Sequence, residues 1–293
     1  MRIRYYAATE QMDRPNNEDF FLTDEKNHLY IVADGMGGTE GGEHASKFAT
    51  LLAKKILKSL NTLAKKSPDE TITPDEKMLV CDYENTLRHA FFEAHEETRK
   101  EGKKLSLTEM GSTIVLLLFR ENRLFIMNAG DCRCYLHSEG KLRQITRDHS
   151  GVAKMVREKE ITPEEAKKNR SGGVNRWVGG TRFSGGADTF VAPYYINDRF
   201  IMCTDGVTKI LTDEEIESFA KDDIKKGVSG ILKAIKDFPV EINPITKKKR
   251  AKDNATVMIV EVAERSDAKD KAKALEKTAR IKIEDVEEDE DAP

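Results

Sequence analysis

At 293 residues the chain is long enough for one large core or two smaller ones. Its 49 Lys and Arg nearly balance 52 Asp and Glu, for a net charge of −3, and the charges are interspersed, so neither nucleic acid nor an anionic membrane is an expected partner. No apolar run approaches the roughly 18 residues of a membrane span, and no basic leader precedes an apolar stretch, so the expected setting is cytoplasmic and the expected form a monomer.

IRYYAATE, DFFLTD and HLYIVAD read as strands separated by polar turns. The glycine-rich loop GMGGTEGG then opens into a helix over about residues 44–60, where Phe48, Leu51, Leu52, Ile56 and Leu60 recur at helical spacing. Ser67, Pro68 and Pro74 break it, and a second helix follows over about 75–100. GSTIVLLLFRENRLFIMNAGDCRCYLH reads as two or three antiparallel strands with Glu121-Asn122 at a hairpin turn. Its adjacent apolar residues imply burial on both faces. From about 146 to 193 the character changes to an amphipathic helix (GVAKMVREK), a helix start with capping-box spacing from Thr162 to Glu165, and many glycines around Trp177; this predicts an inserted flap lobe. Trp177 reads as the lobe's packing anchor or as a substrate-facing platform. DRFIMCTDG resumes the core, helices follow over 212–220 and about 226–238, and NATVMIVEV is the last strand. The pattern predicts an α+β fold, two antiparallel sheets packed face to face with helices outside, in one domain over 1–264. Residues 265–293 turn acidic, with seven Asp or Glu among the last ten, and are expected to be a disordered tail.

Cys81, Cys132, Cys134 and Cys203 are too sparse for a disulfide framework. Cys132 and Cys134 lack the spacing and second pair of a zinc site, and would share one buried strand face, so core thiols are expected.

Three acidic turns stand at the ends of apolar strands: Asp34-Gly35, Asp205-Gly206 and Asp253-Asn254. Each alone is an ordinary turn dipeptide. Brought together, three carboxylates make a hard-cation site suited to Mg²⁺ or Mn²⁺, and paired ions of that kind clamp phosphate and ionise water. The loop after Asp34 lacks the Lys-Ser/Thr of a nucleotide P-loop, and its glycines leave the Gly35 carbonyl open to a cation.

Six elements in order carry a resemblance: Arg14-Pro15-Asn16-Asn17-Glu18-Asp19, Asp34-Gly35-Met36-Gly37-Gly38, Gly111-Ser112-Thr113, Gly130-Asp131-Cys132-Arg133, Thr204-Asp205-Gly206 and Asp253-Asn254. From about residue 4 to 262 the chain resembles the metal-dependent protein phosphatase family, the type 2C class of serine/threonine phosphatases, in its bacterial single-domain form. The resemblance implies a four-layer α-β-β-α sandwich with a flap lobe, and hydrolysis of phosphoserine and phosphothreonine in proteins, opposing a Ser/Thr kinase. It implies two Mn²⁺ or Mg²⁺ ions bridged by Asp34, one completed by the Gly35 carbonyl and the second held by Asp205 and Asp253. Glu18 and Asp19 would assist directly or through water. Asp131, with Asp205, would hold a third, looser ion, and Arg14 would grip the phosphoryl oxygens. Without the resemblance, Arg14 would read as a solvated surface arginine.

Departures from the family pattern are specific. Met36 stands two residues after Asp34 where the eukaryotic branch has a histidine, and Thr39 where bacterial relatives often do, leaving His44 and His149 as general-acid candidates by position only. Lys209 occupies a place where some members carry a further acidic ligand, which weakens the third ion. The run Lys247-Lys248-Lys249-Arg250 reads as a solvated loop or as a rim attracting acidic phosphopeptides. Two alternatives remain open: a noncatalytic phosphoprotein-binding pseudophosphatase, and a metal-dependent hydrolase of small phosphate esters.

Overall fold

A computed structural model describes residues 2–36, 41–65, 76–104, 111–120, 122–162, 165–166, 173–179, 186–239 and 251–264, apart from the side chains of 41–46, 61–65 and 76–82. The acidic tail, the basic run at 247–250, the loop at 37–39 and the side chains of His44 and Cys81 therefore lie outside the described residues.

Among the described residues ten strands form two five-stranded sheets. One has the order β1 (Arg2–Glu10), β10 (Ala255–Ala263), β9 (Arg199–Cys203), β6 (Arg133–Ser138), β7 (Lys141–Gln144). The other runs β2 (Asp19–Asp24), β3 (Leu29–Met36), β4 (Gly111–Arg120), β5 (Arg123–Ala129), β8 (Asp188–Pro193). All pairings are antiparallel. Helices α1 (Gly41–Lys65) and α2 (Glu76–Lys104) cover the β3 sheet. Beyond α3 (Gly151–Arg157) and the single turn α4 (Asp205–Thr208), α5 (Asp213–Ala220) and α6 (Ile224–Asp237) cover the β10 sheet.

The uninterrupted apolar runs follow from this layering. On β4, Ile114, Leu116 and Leu118 face the α1–α2 side, while Val115, Leu117 and Phe119 enter the core between the sheets. On β10, Val257 and Ile259 meet the α5–α6 side, and Met258, Val260 and Val262 face the other sheet. Successive side chains point to opposite faces, so a strand buried on both is apolar along most of its length. The four-layer sandwich is as expected.

Local signals account for several boundaries. Asn122 takes the positive φ of the β4–β5 turn. Thr212 caps α5 in a reciprocal box, accepting from Glu215 N at 3.3 Å while Thr212 N donates to Glu215 Oε2 at 2.8 Å. Thr162 and Glu165 make the same exchange, at 3.2 and 2.8 Å. Cys132, Cys134 and Cys203 are buried free thiols, and burial pushes Cys203 up to about 12.

Three readings change. α1 extends past the expected 44–60, and β7 and β8 are strands that the periodicity did not mark. β7 is the four residues Lys-Leu-Arg-Gln, with one apolar side chain, and β8 is partly exposed at a sheet edge. The last six residues of the 146–193 stretch thus belong to the β3 sheet rather than to a lobe. Among the described residues no helix is long and apolar enough to cross a membrane.

Because both faces of β4 are buried, Leu116→Ala and Leu117→Ala should each cost about 2–5 kcal/mol in chemical denaturation. A near-neutral result for either would mean that its face is solvated.

Candidate metal centre

Sheet register gathers the acidic residues. Across β2–β3, Asp19 lies opposite Asp34, and β4 sets Thr113 opposite Asp34 on the other side. In the second sheet Cys203 is opposite both Val257 and Arg133. Asp205, just after β9, therefore leaves the same sheet end as Asp131, just before β6, and Asp253, just before β10. The two sheet ends meet at a cleft of about 460 Å³ whose walls include Arg14, Glu18, Asp34, Gly35, Asp131, Asp205, Lys209 and Asp253. Seven of the eight expected site residues line this cleft. Asp19 does not: it is buried behind the wall, and its Oδ2 accepts from Thr204 Oγ1 at 2.7 Å.

The surrounding backbone is tied by neutral donors. Thr204 Oγ1 also accepts from Thr256 N at 3.0 Å, which joins the ends of β9 and β10. Buried Asn254 donates to the carbonyls of Gln11 at 2.7 Å and Asn16 at 2.9 Å, and its Oδ1 accepts from Glu18 N at 3.0 Å. It thereby anchors the Arg14 loop to the β10 sheet. Gly206 is required because a Cβ there would fall 1.8 Å from the Asn254 carbonyl oxygen. Gly130, at φ +111°, turns the chain before Asp131 with Thr113 packed against it.

Electrostatics reflect this crowding. Asp34 lines the cleft; burial, and then the charges of Asp205, Asp19, Asp131 and Asp253, push its carboxyl well above the usual range. Burial and neighbouring carboxylates raise Asp19 and Asp131 to about 7. Burial raises Asp205 against the pull of Lys209. At Asp253 the same desolvation is outweighed by Lys209 and Arg14, and its pKa falls below the ordinary value. Arg14 Nε lies 2.9 Å from Asp253 Oδ1, while Lys209 Nζ lies 2.5 Å from Asp205 Oδ2 and 2.8 Å from Asp253 Oδ2. Asp205 Oδ1 is buried and has no hydrogen-bond partner among the described residues.

Among the described residues no three His, Cys, Asp or Glu side chains are drawn together tightly enough to enclose an ion. The donor set nevertheless fits a hard divalent cation: several carboxylates with raised pKa share one cleft with the Gly35 backbone, and one buried carboxylate oxygen is unsatisfied.

The other expectations divide. His149 is buried outside the cleft wall; its Nδ1 accepts from Gly130 N at 3.1 Å and its Nε2 lies 3.2 Å from Asp188 Oδ2, so it buttresses the Gly130–Asp131 turn. The Trp177 ring packs over Gly111, whose Cβ would clash with it, and Trp177 is absent from the cleft wall, as the anchor reading requires. The contacts of Lys209, Thr204 and Asn254 were not foreseen. Thr204 and Asn254 belong to the matched motifs, but their partners lie up to 243 residues away in the chain.

The model of protein phosphatase 2C matches residues 8–233. The chain belongs to that family. It is similar to a serine/threonine phosphatase of Listeria welshimeri, 30% identical over 85% of this chain and 91% of the relative. It is 31% identical to the serine/threonine protein phosphatase PstP of Mycobacterium tuberculosis, over 73% of this chain and 38% of that one. The fold matches a crystal structure of the PstP catalytic domain in complex with two manganese ions, with TM-score 0.65, 24% identity and coverage of 89% and 99%. The protein phosphatase 2C chain described here is accordingly a phosphatase.

Two outcomes are expected. Asn254→Ala removes three hydrogen bonds and should lower stability by about 1–3 kcal/mol in denaturant, with faster amide exchange in residues 11–18; unchanged exchange there would contradict the anchoring role. Raised folded pKa values at Asp34, Asp19 and Asp131 mean stability present at low pH and lost as pH rises from the ordinary carboxylate range through the folded values, about 7 for Asp19 and Asp131. Burial lowers His28, His95, His137 and His149, which act oppositely, but at and below 6.5. In EDTA the melting temperature of the wild type should therefore fall relative to that of Asp34→Asn as pH rises from about 5 through 7, the histidine contributions being common to both proteins. An identical slope in the variant would refute the coupling.

Proposed function

We propose that this phosphatase hydrolyses phosphoserine and phosphothreonine in proteins at a centre of two Mn²⁺ or Mg²⁺ ions. Asp34 would bridge the ions, the Gly35 carbonyl would complete one, and Asp205 and Asp253 would hold the other. Glu18 lies on the cleft wall beside them, whereas Asp19 would act from behind it. Asp131 with Asp205 would hold a third, weaker ion. Such ions, when bound, lower the pKa of water to near neutrality and neutralise phosphoryl oxygens. The observation that carries the reading is the convergence of Asp34, Asp131, Asp205 and Asp253 on one cleft with a buried, unsatisfied Asp205 oxygen.

The chain's own residues supply the remainder. Arg14, half exposed at the mouth, offers a planar fork of donors to a tetrahedral anion, and releasing Asp253 would free its Nε for substrate. The neutral ties from Thr204 and Asn254 hold the loops without occupying the free Asp205 oxygen. Met36 on the wall donates no proton and His149 is committed to Gly130, which leaves solvent in the cleft, or His44, to protonate the leaving alkoxide. Similarity to the Listeria and mycobacterial serine/threonine phosphatases supports phosphoprotein substrates, and with them a role opposite a Ser/Thr kinase in the cytoplasm. The catalytic unit would span residues 1–264. The retained carboxylates count against the pseudophosphatase alternative.

A phosphothreonine peptide should be hydrolysed by the wild type with Mn²⁺ and not with EDTA, and Asp34→Asn and Asp205→Asn should each lose about 10²-fold or more in kcat/KM. Hydrolysis undiminished by EDTA, or faster turnover of a phosphodiester than of the peptide, would reverse the assignment.

A further inference from the structure

Two cations stand against the carboxylates of the cleft, and they differ in kind. Among the described residues Arg14 forms an ion pair with Asp253, from the loop before β2. Lys209 reaches two acids at once: its ammonium contacts Oδ2 of Asp205 at 2.5 Å and Oδ2 of Asp253 at 2.8 Å. The placement is built in. Lys209 closes α4 four residues after Asp205, where its N–H donates to the Asp205 carbonyl at 2.8 Å, and helical spacing lays residues i and i+4 side by side. The close approach of Gly206 to Asn254 then brings Asp253 to the same ammonium.

We propose that Lys209 is a tethered counter-ion that competes with a divalent cation for Asp205 and Asp253. The inference rests on the reading of these two residues as ion ligands. An ammonium and a metal ion cannot both sit on one carboxylate oxygen, and an ion on the free Oδ1 of Asp205 would still lie within contact range of the like charge that Lys209 holds on Oδ2. The metal-free protein thus carries its own partial neutralisation of the acidic cleft, and loading an ion displaces that charge. The flexible four-carbon stem of a half-exposed lysine makes the displacement a local movement. The competition falls on the Asp205–Asp253 pair itself, not only on a third ion beside Asp131.

The test measures Mn²⁺ binding by isothermal titration calorimetry, with free Mn²⁺ counted by electron paramagnetic resonance, for the wild type, Lys209→Gln, Lys209→Met and Lys209→Arg. Circular dichroism and melting in EDTA check that each folds. Lys209→Gln and Lys209→Met should bind Mn²⁺ on the order of tenfold more tightly and gain more melting temperature on adding it, yet melt lower in EDTA. Lys209→Arg, which keeps the charge, should bind like the wild type. Equal or weaker affinity in the two neutral variants, or tightening in Lys209→Arg, overturns the competition while leaving the metal centre intact. Absence of Mn²⁺ binding in the wild type and all variants overturns the metal reading and this inference with it.

Discussion

The burial of several carboxylates in one place is the constraint around which the molecule is organised. Desolvation first, and then the charges of their neighbours, push the carboxyls of Asp34, Asp19 and Asp131 upward where they gather with Asp205 and Asp253 at the ends of two facing sheets. Such a gathering lowers stability unless charge or protons compensate it. A scaffold that tolerates it needs a surplus elsewhere, and the surplus here is three apolar clusters stacked through four layers.

The scaffold holds the acids by geometry rather than by pairing each with a cation. β-ladder register fixes Asp34 between Asp19 and Thr113, and the ends of β6, β9 and β10 are aligned in the same way. Threonine and asparagine side chains lock the adjoining loops, with Thr204 and Thr256 on one side and Asn254 on the other. Neutral donors suit this task because they order backbone and satisfy one carboxylate oxygen while leaving another free. Sites that must bind a multivalent cation are built this way: preorganised, underneutralised, and costly to the empty protein.

Much of this was legible in the chain. The unbroken apolar runs of β4 and β10 announced strands buried on both faces, and the motifs around Asp34, Asp205 and Asp253 pointed to the residues that share the acidic cleft. What escaped detection depended on tertiary context. β7 and β8 are edge strands whose short or partly exposed sequences have little apolar signal of their own. Asp19 adjoins Glu18 in one motif and stands opposite Asp34 in the ladder, yet its carboxylate is buried against the Thr204 hydroxyl instead of lining the cleft. Lys209 was visible as a departure from the family pattern, but only coordinates reveal that it touches both Asp205 and Asp253.

The pairing of β1 with β10 joins residues 2–10 to 255–263. During synthesis the first strand therefore waits for its neighbour until almost the entire described chain has emerged, and with it waits the alignment of Asp253 against the acids contributed earlier. Long-range closure of this sort is slow. It also means that no truncated nascent chain carries the assembled centre, so a ribosome-bound intermediate is chemically silent until the last β-strand is in place.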